Sequence, residues 1–136
     1  MPFYITSEME EGHSDINPNI SNYGGVGEFM KAALVTKPEG EGPPLHMHPN
    51  EEQWTFVVSG KMHYVLGEEE RIIEAGDIVH IPRFTNHRSR SIGGPASFFT
   101  VKSPAGDGTL TQDYNMVEGE ASTTAEKKYD EHAKTK

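Results

Sequence analysis

Between Phe29 and Lys102 the chain breaks into short β-prone runs with turns between them. The runs are Phe29 to Lys37, Gln53 to Val58, Lys61 to Leu66, Arg71 to Glu74, Ile78 to Ile81, His87 to Ile92 and Ser97 to Lys102. Gly60, Gly67-Glu68-Glu69, Ala75-Gly76-Asp77, Pro82 and Gly93-Gly94-Pro95 punctuate them. Regular short strands with glycine and proline turns predict an all-β barrel or sandwich rather than βαβ units. A length of 136 residues fits one core, and an apolar fraction of 34% is low for a globular chain, so part of it lies outside that core. Residues 1–28 are polar, rich in Gly, Asn and Ser, and read as an irregular arm; residues 29–103 form the β unit. Past Ser103-Pro104 the composition shifts to Gly, Thr, Asp and Glu, and residues 104–136 form a polar C-terminal extension. Its end, Ala125 to Lys136, reads as a surface or partner-packed short helix, or a frayed tail. No internal repeat is present.

Charge and composition narrow the partners. With 21 acidic against 12 basic residues the net charge is −9, which opposes a nucleic-acid backbone or an anionic membrane. The chain has no cysteine, so disulfides, thiolate metal sites and cysteine nucleophiles are excluded together and any metal is held by N and O ligands. No apolar run approaches the ~18 residues of a membrane span, and MPFYITSEMEEG lacks the basic and apolar regions of a signal peptide. A cytoplasmic protein acting on a small molecule is expected.

The chemistry concentrates in two segments. In Gly40 to Gly60, His46 and His48 stand at i and i+2, so on an extended strand both imidazoles face one way, in a chelate arrangement. Seven histidines in a chain of this size put one such pair within reach of chance, so context carries the claim. Gly42-Pro43-Pro44 precedes the pair, Pro49-Asn50 turns the chain, and a second strand begins beside it. Glu51, Glu52 and Gln53 compete for the position nearest the two rings. The second segment is Gly76 to His87, in which a glycine turn leads into Ile78-Val79-His80-Ile81, Pro82 halts the strand, and His87 follows. A tripod drawn from two neighbouring β segments leaves one side of a metal open, as a catalytic site requires.

These two segments resemble the motifs of the cupin superfamily. The first motif, G-x5-H-x-H-x(3 or 4)-E-x6-G, is met by Gly40, His46, His48 and Gly60, with Gln53 at the carboxylate position. The second, G-x5-P-x-G-x2-H-x3-N, is met by Gly76, Pro82 and His87, whereas Phe84 replaces its inner glycine and the final Asn is missing. The resemblance spans about residues 40 to 91. It implies a double-stranded β-helix, the jelly-roll cupin barrel, with one divalent transition metal (Zn, Fe, Ni or Mn) inside, held by His46, His48, Gln53 and His87. Gln53 satisfies both spacings; Glu52 satisfies the shorter one with an extra residue before Gly60, and so stays a competing ligand.

A glutamine ligand offers a neutral carbonyl oxygen. It leaves the charge of the dication uncompensated, which favours polarising a carbonyl over supporting oxidised iron. Small cupins with three His and one Gln include polyketide cyclases and ketouronate-processing enzymes. The resemblance therefore implies non-redox cyclase, isomerase or lyase chemistry on a small enolisable oxo compound, with an Fe(II) dioxygenase and a non-catalytic ligand-binding cupin as alternatives. His80 and His63 are candidate general bases, since an unperturbed imidazole titrates in the useful range. His13 and His132 lie in polar ends. Of the alternating sets Trp54, Phe56, Val58 and Gln53, Thr55, Val57, one is expected between the sheets and the other toward the cavity, with core packing expected for the aromatics. Phe98-Phe99 divides between core and pocket or interface. Arg83, Arg88 and Arg90 read as a solvated edge, or as a mouth that meets an anionic substrate. Cupins commonly pair through an outer sheet or exchange an N-terminal strand, so a homodimer is expected.

Overall fold

The computed structural model describes residues 3–134. Eleven strands run in chain order: β1 (Gly12–His13), β2 (Ser21–Val26), β3 (Lys31–Lys37), β4 (His46–Met47), β5 (Glu52–Ser59), β6 (Lys61–Leu66), β7 (Glu69–Glu74), β8 (Ile78–Ile81), β9 (His87–Ser91), β10 (Ala96–Ser103) and β11 (Asn115–Met116), followed by helix α1 (Glu120–Lys134). They form two antiparallel sheets, one ordered β1-β2-β3-β10-β5-β8 and the other β11-β4-β9-β6-β7. Non-consecutive neighbours such as β3-β10-β5 are the jelly-roll crossing of chain between layers. Among the described residues no helix is long and apolar enough to cross a membrane.

Alternation along the strands builds the interior. In β3 every second residue from Lys31 to Lys37 is buried; in β10 the buried set is Ala96, Phe98, Thr100 and Lys102, and in β5 it is Gln53, Thr55 and Val57. Ile20, Ala33, Val35, Val57, Met62, Tyr64, Ile73, Val79, Ile81, Ala96 and Phe98 make the apolar core. The polar inward residues lie beside it and open into a cavity of about 580 Å³.

The other face of β5 departs from expectation. Trp54, Phe56 and Val58 are 50%, 44% and 47% exposed, so the aromatics lie outside the sheet and the polar-leaning set Gln53, Thr55 and Val57 points in. The physical reason is the site itself, because strand parity cannot bring Gln53 inward without turning its neighbours out. Phe98 joins the core and Phe99 is 44% exposed on that same outer surface.

The segments flanking the β unit also pack against it. The arm is irregular up to Ile20 apart from one 3-10 turn at Thr6–Glu8 and the short β1, and then β2 pairs with β3 from Ser21↔Thr36 to Val26↔Lys31. The extension returns over the cavity mouth, where Thr109 and Leu110 accept hydrogen bonds from Lys31 and Lys102, and β11 pairs with β4. Helix α1 covers the outer face of the second sheet, with Ala125 buried and the Tyr129 hydroxyl donating to the Ser91 carbonyl at 3.0 Å.

Two backbone positions explain the motif residues. Gly60, in the β5–β6 turn, has φ +77°, and a Cβ there would stand 2.3 Å from the Pro95 carbonyl oxygen, so only glycine fits. Phe84 has φ +64°, keeping the left-handed backbone of the motif's missing glycine at the cost that an L side chain incurs there. Its amide donates to the His48 carbonyl at 3.1 Å, tying the two histidine-bearing segments together.

Candidate metal centre

His46 and His87 face each other across the β4–β9 ladder, and His48 follows at the end of β4. Their ring centroids are 4.2 Å (His46–His87), 5.0 Å (His46–His48) and 4.8 Å (His48–His87) apart, and the three present nitrogen atoms within 4.8 Å of one another. Each Nδ1 is committed to a backbone carbonyl: His46 to Pro44 at 2.7 Å, His48 to Asp113 at 2.9 Å and His87 to Thr85 at 2.9 Å. A carbonyl only accepts, so each Nδ1 carries the proton and each Nε2 keeps its lone pair. Burial is the main cause that holds all three rings neutral, lowering their pKa values to about 2, 3 and 4 for His46, His48 and His87. Among their hydrogen-bonding atoms, His48 Nε2 is buried without a partner.

Gln53, on β5, lines the same cavity. Its Nε2 donates to Thr100 Oγ1 at 2.6 Å, and that hydroxyl in turn reaches the Trp54 carbonyl at 3.2 Å. With its own proton directed to Trp54, Thr100 accepts from Gln53, which orients the amide so that Oε1 is the free end. That oxygen is buried and has no hydrogen-bond partner. Leaving it so costs about 1–3 kcal/mol, a penalty that a ligand to Oε1 removes. Three imidazole lone pairs and one orphaned amide oxygen, all lining one cavity, fit a divalent ion of borderline softness.

Glu52 points the opposite way. It is exposed and pairs with His80 at 2.6 Å on the outer surface, while Glu51 is buried against Lys31 at 2.6 Å. His80 stacks on Trp54, centroids 4.3 Å apart, so it lies outside rather than facing the cavity as a base would. His63 is also turned away, buried beneath α1. Its Nε2 faces Glu70 at 2.5 Å and its Nδ1 accepts from Arg88 Nη2 at 3.1 Å. His63, Glu70 and His132 converge as a metal site would, yet both ring nitrogens of His63 are already engaged, leaving that ring no lone pair for an ion. Arg88 and Arg90 lie under α1 with Glu126 and not at the mouth.

The cavity's cations are lysines that the sequence reading passed over. Lys37 and Lys102 line it with the three histidines, Gln53, Tyr64 and Tyr114. Burial, with Arg90 and Arg88 nearby, lowers Lys37 to about 7; burial lowers Lys102 to about 8 against the raising effect of Glu51. Burial pushes the Tyr64 hydroxyl up to about 12 against the lowering effect of Thr55 and Ser89. The available signal was parity: Lys37 shares a face with Ala33 and Val35, and Lys102 with Phe98 and Thr100.

Comparison with known proteins agrees with this architecture. The Cupin domain family model matches residues 33–102. The uncharacterized protein MJ1618 of Methanocaldococcus jannaschii is 31% identical over 90 residues, 66% of this chain and 69% of that protein. Quercetin 2,3-dioxygenase of Bacillus subtilis is 28% identical over 93 residues, 66% of this chain but 28% of the enzyme. The structure of KdgF from Halomonas sp. superposes with a TM-score of 0.73 at 24% identity, over 81% of this chain and 99% of that one, and shows the same fold. With both histidine motifs on adjoining strands of a jelly roll and a family match across half its length, the chain belongs to the cupin family.

Proposed function

We propose that this chain is a divalent-metal-dependent enzyme with non-redox cyclase, isomerase or lyase activity on a small enolisable oxo compound. His46, His48 and His87 through Nε2 and Gln53 through Oε1 would hold one transition-metal ion (Zn, Fe, Ni or Mn). Bound there, the ion supplies Lewis-acid polarisation of a carbonyl or enediol oxygen, undiminished by a carboxylate ligand. The protein's own residues do the rest. Pro44, Asp113 and Thr85 carbonyls hold the three tautomers, Thr100 holds the amide, and the 104–116 segment roofs the mouth and limits water. The observation that carries this reading is the buried, partnerless Gln53 Oε1 in a cavity lined by imidazoles whose Nδ1 atoms are all taken.

Metal analysis after gel filtration tests it. One ion per chain is expected in the wild type, with loss of both ion and turnover in the doubly substituted His46→Ala/His48→Ala protein. Gln53→Glu should keep the ion and lower turnover at least tenfold, because its carboxylate neutralises part of the charge. Full turnover in metal-stripped protein would overturn the reading. The likeness to quercetin 2,3-dioxygenase supports a second reading, an Fe(II) dioxygenase, for which iron-dependent oxygen consumption is the discriminating measurement. For assembly we propose a homodimer formed through the outer face of β5, β8 and β10.

A further inference from the structure

Lys37 is a buried cation on the wall of the metal cavity with no anionic partner. The residue is 3% exposed, and its ammonium donates to the Ser89 carbonyl at 2.9 Å and to Ser89 Oγ at 2.7 Å and stands 5.2 Å from the Phe98 ring centroid. An ammonium has three N–H donors, so one remains, and both acceptors are neutral. The other interior lysines differ: Lys31 pairs with Glu51 at 2.6 Å, and Lys102 has Glu51 at 3.8 Å and the Leu110 carbonyl at 2.6 Å. The charged groups acting on Lys37 are Arg88 and Arg90 of β9, both cations already engaged with Glu126. Among the described residues no carboxylate forms an ion pair with Lys37.

A buried charge without a counterion is costly, and it is commonly kept where a ligand supplies the missing charge. Ser89, which holds Lys37, is two residues from His87 on the same inward face of β9, so the ammonium is placed beside the metal-binding wall. One remaining N–H and a single charge match a carboxylate, whereas a phosphate dianion draws several donors. We propose that Lys37 is the anion-recognition group of this site and binds the carboxylate of an oxo-acid substrate whose oxo end is directed at His46, His48, His87 and Gln53. This substrate class rests on the metal-enzyme reading above.

The test uses protein labelled with ¹³C at lysine Cε, in metal-loaded and metal-stripped forms, with pyruvate and the uncharged pyruvamide as probes. The Lys37 resonance, identified by its loss in Lys37→Met, should shift saturably with pyruvate and not with pyruvamide in both forms. Calorimetry should show pyruvate affinity falling at least tenfold in Lys37→Met at unchanged metal content. Equal affinity of the wild type and Lys37→Met for pyruvate, or a Lys37 resonance indifferent to pyruvate, overturns the proposal. Where Lys37→Met folds poorly, the charge-keeping Lys37→Arg supplies the same assignment, so the wild-type reading stands without it. Failure of the metal reading shows separately, as wild-type protein that retains no ion.

Discussion

Lys37 imposes a stability cost where the cavity needs a charge. Its pKa falls from 10.5 in the unfolded chain to about 7 in the fold, with desolvation as the main cause. Between those values the unfolded state binds more protons, so stability rises as pH increases from 7 to 10.5, and the penalty is fully present below 7. Lys37→Met is therefore expected to stabilise the protein at pH 7 by on the order of 3 kcal/mol, and the advantage should shrink as pH approaches 10. Urea unfolding of both proteins across that range checks this; a variant less stable at pH 7 would contradict it. At this scale, the cluster of His46, His48 and His87 was legible because two histidines at i and i+2, Gly60, Pro82 and His87 stand at fixed spacings. The facing of single side chains was less so. His80 sits in Ile78-Val79-His80-Ile81, apolar on both parities, and Ile78 is 65% exposed. On β6 the alternation did mark the outside, since His63 shares its parity with exposed Lys61 and opposes Met62, Tyr64 and Leu66, but Val65 on the same parity blurs that face.

Helix α1 accounts for that second buried face. It lays Ala125 over Arg88, whose Nη2 donates to the Ala125 carbonyl at 2.9 Å, and Glu126 takes Arg90 bidentately at 2.7 and 2.9 Å. Arg88 Nη1 stands 3.5 Å from the same carboxylate and is fully buried. Removing Glu126 leaves Arg88 buried without its main counter-charge, with Asp130 as a weaker one. Because Glu126 itself is 39% exposed at the side chain, the loss is screened, and about 2 kcal/mol is expected for Glu126→Ala. Amide exchange should show α1 opening more readily while metal content stays unchanged; unaltered α1 protection would contradict the role given to Glu126. The sequence showed helical propensity over this stretch, but few apolar residues to say what it packs on. The helix is held through arginines and a tyrosine rather than an apolar stripe, and a polar contact of that kind carries no periodic signature.

The two sheets of the molecule present unlike outer faces. One is covered by α1; on the other, Trp54, Phe56, Val58, Ile78 and Phe99 lie exposed on the neighbouring strands β10, β5 and β8, with no covering element among the described residues. A contiguous apolar face of this kind on a chain of net charge −9 is a place where copies can approach, because the charges are carried elsewhere. Within the patch the polar pair Glu52 and His80 already satisfy one another at 2.6 Å. A second copy related by a two-fold axis would set the same strands against one another and bury both faces at once, as an isologous interface requires. Light scattering at micromolar concentration should therefore give twice the 15.1 kDa chain mass. The doubly substituted Val58→Glu/Phe99→Glu protein should be monomeric with its ion retained, since neither side chain reaches the cavity. A wild-type monomer at that concentration, or an undiminished dimer in the variant, would sink this interface. The alternation that turns Gln53 inward toward the candidate metal site is thus the same alternation that turns Trp54, Phe56 and Val58 outward onto the proposed dimer face.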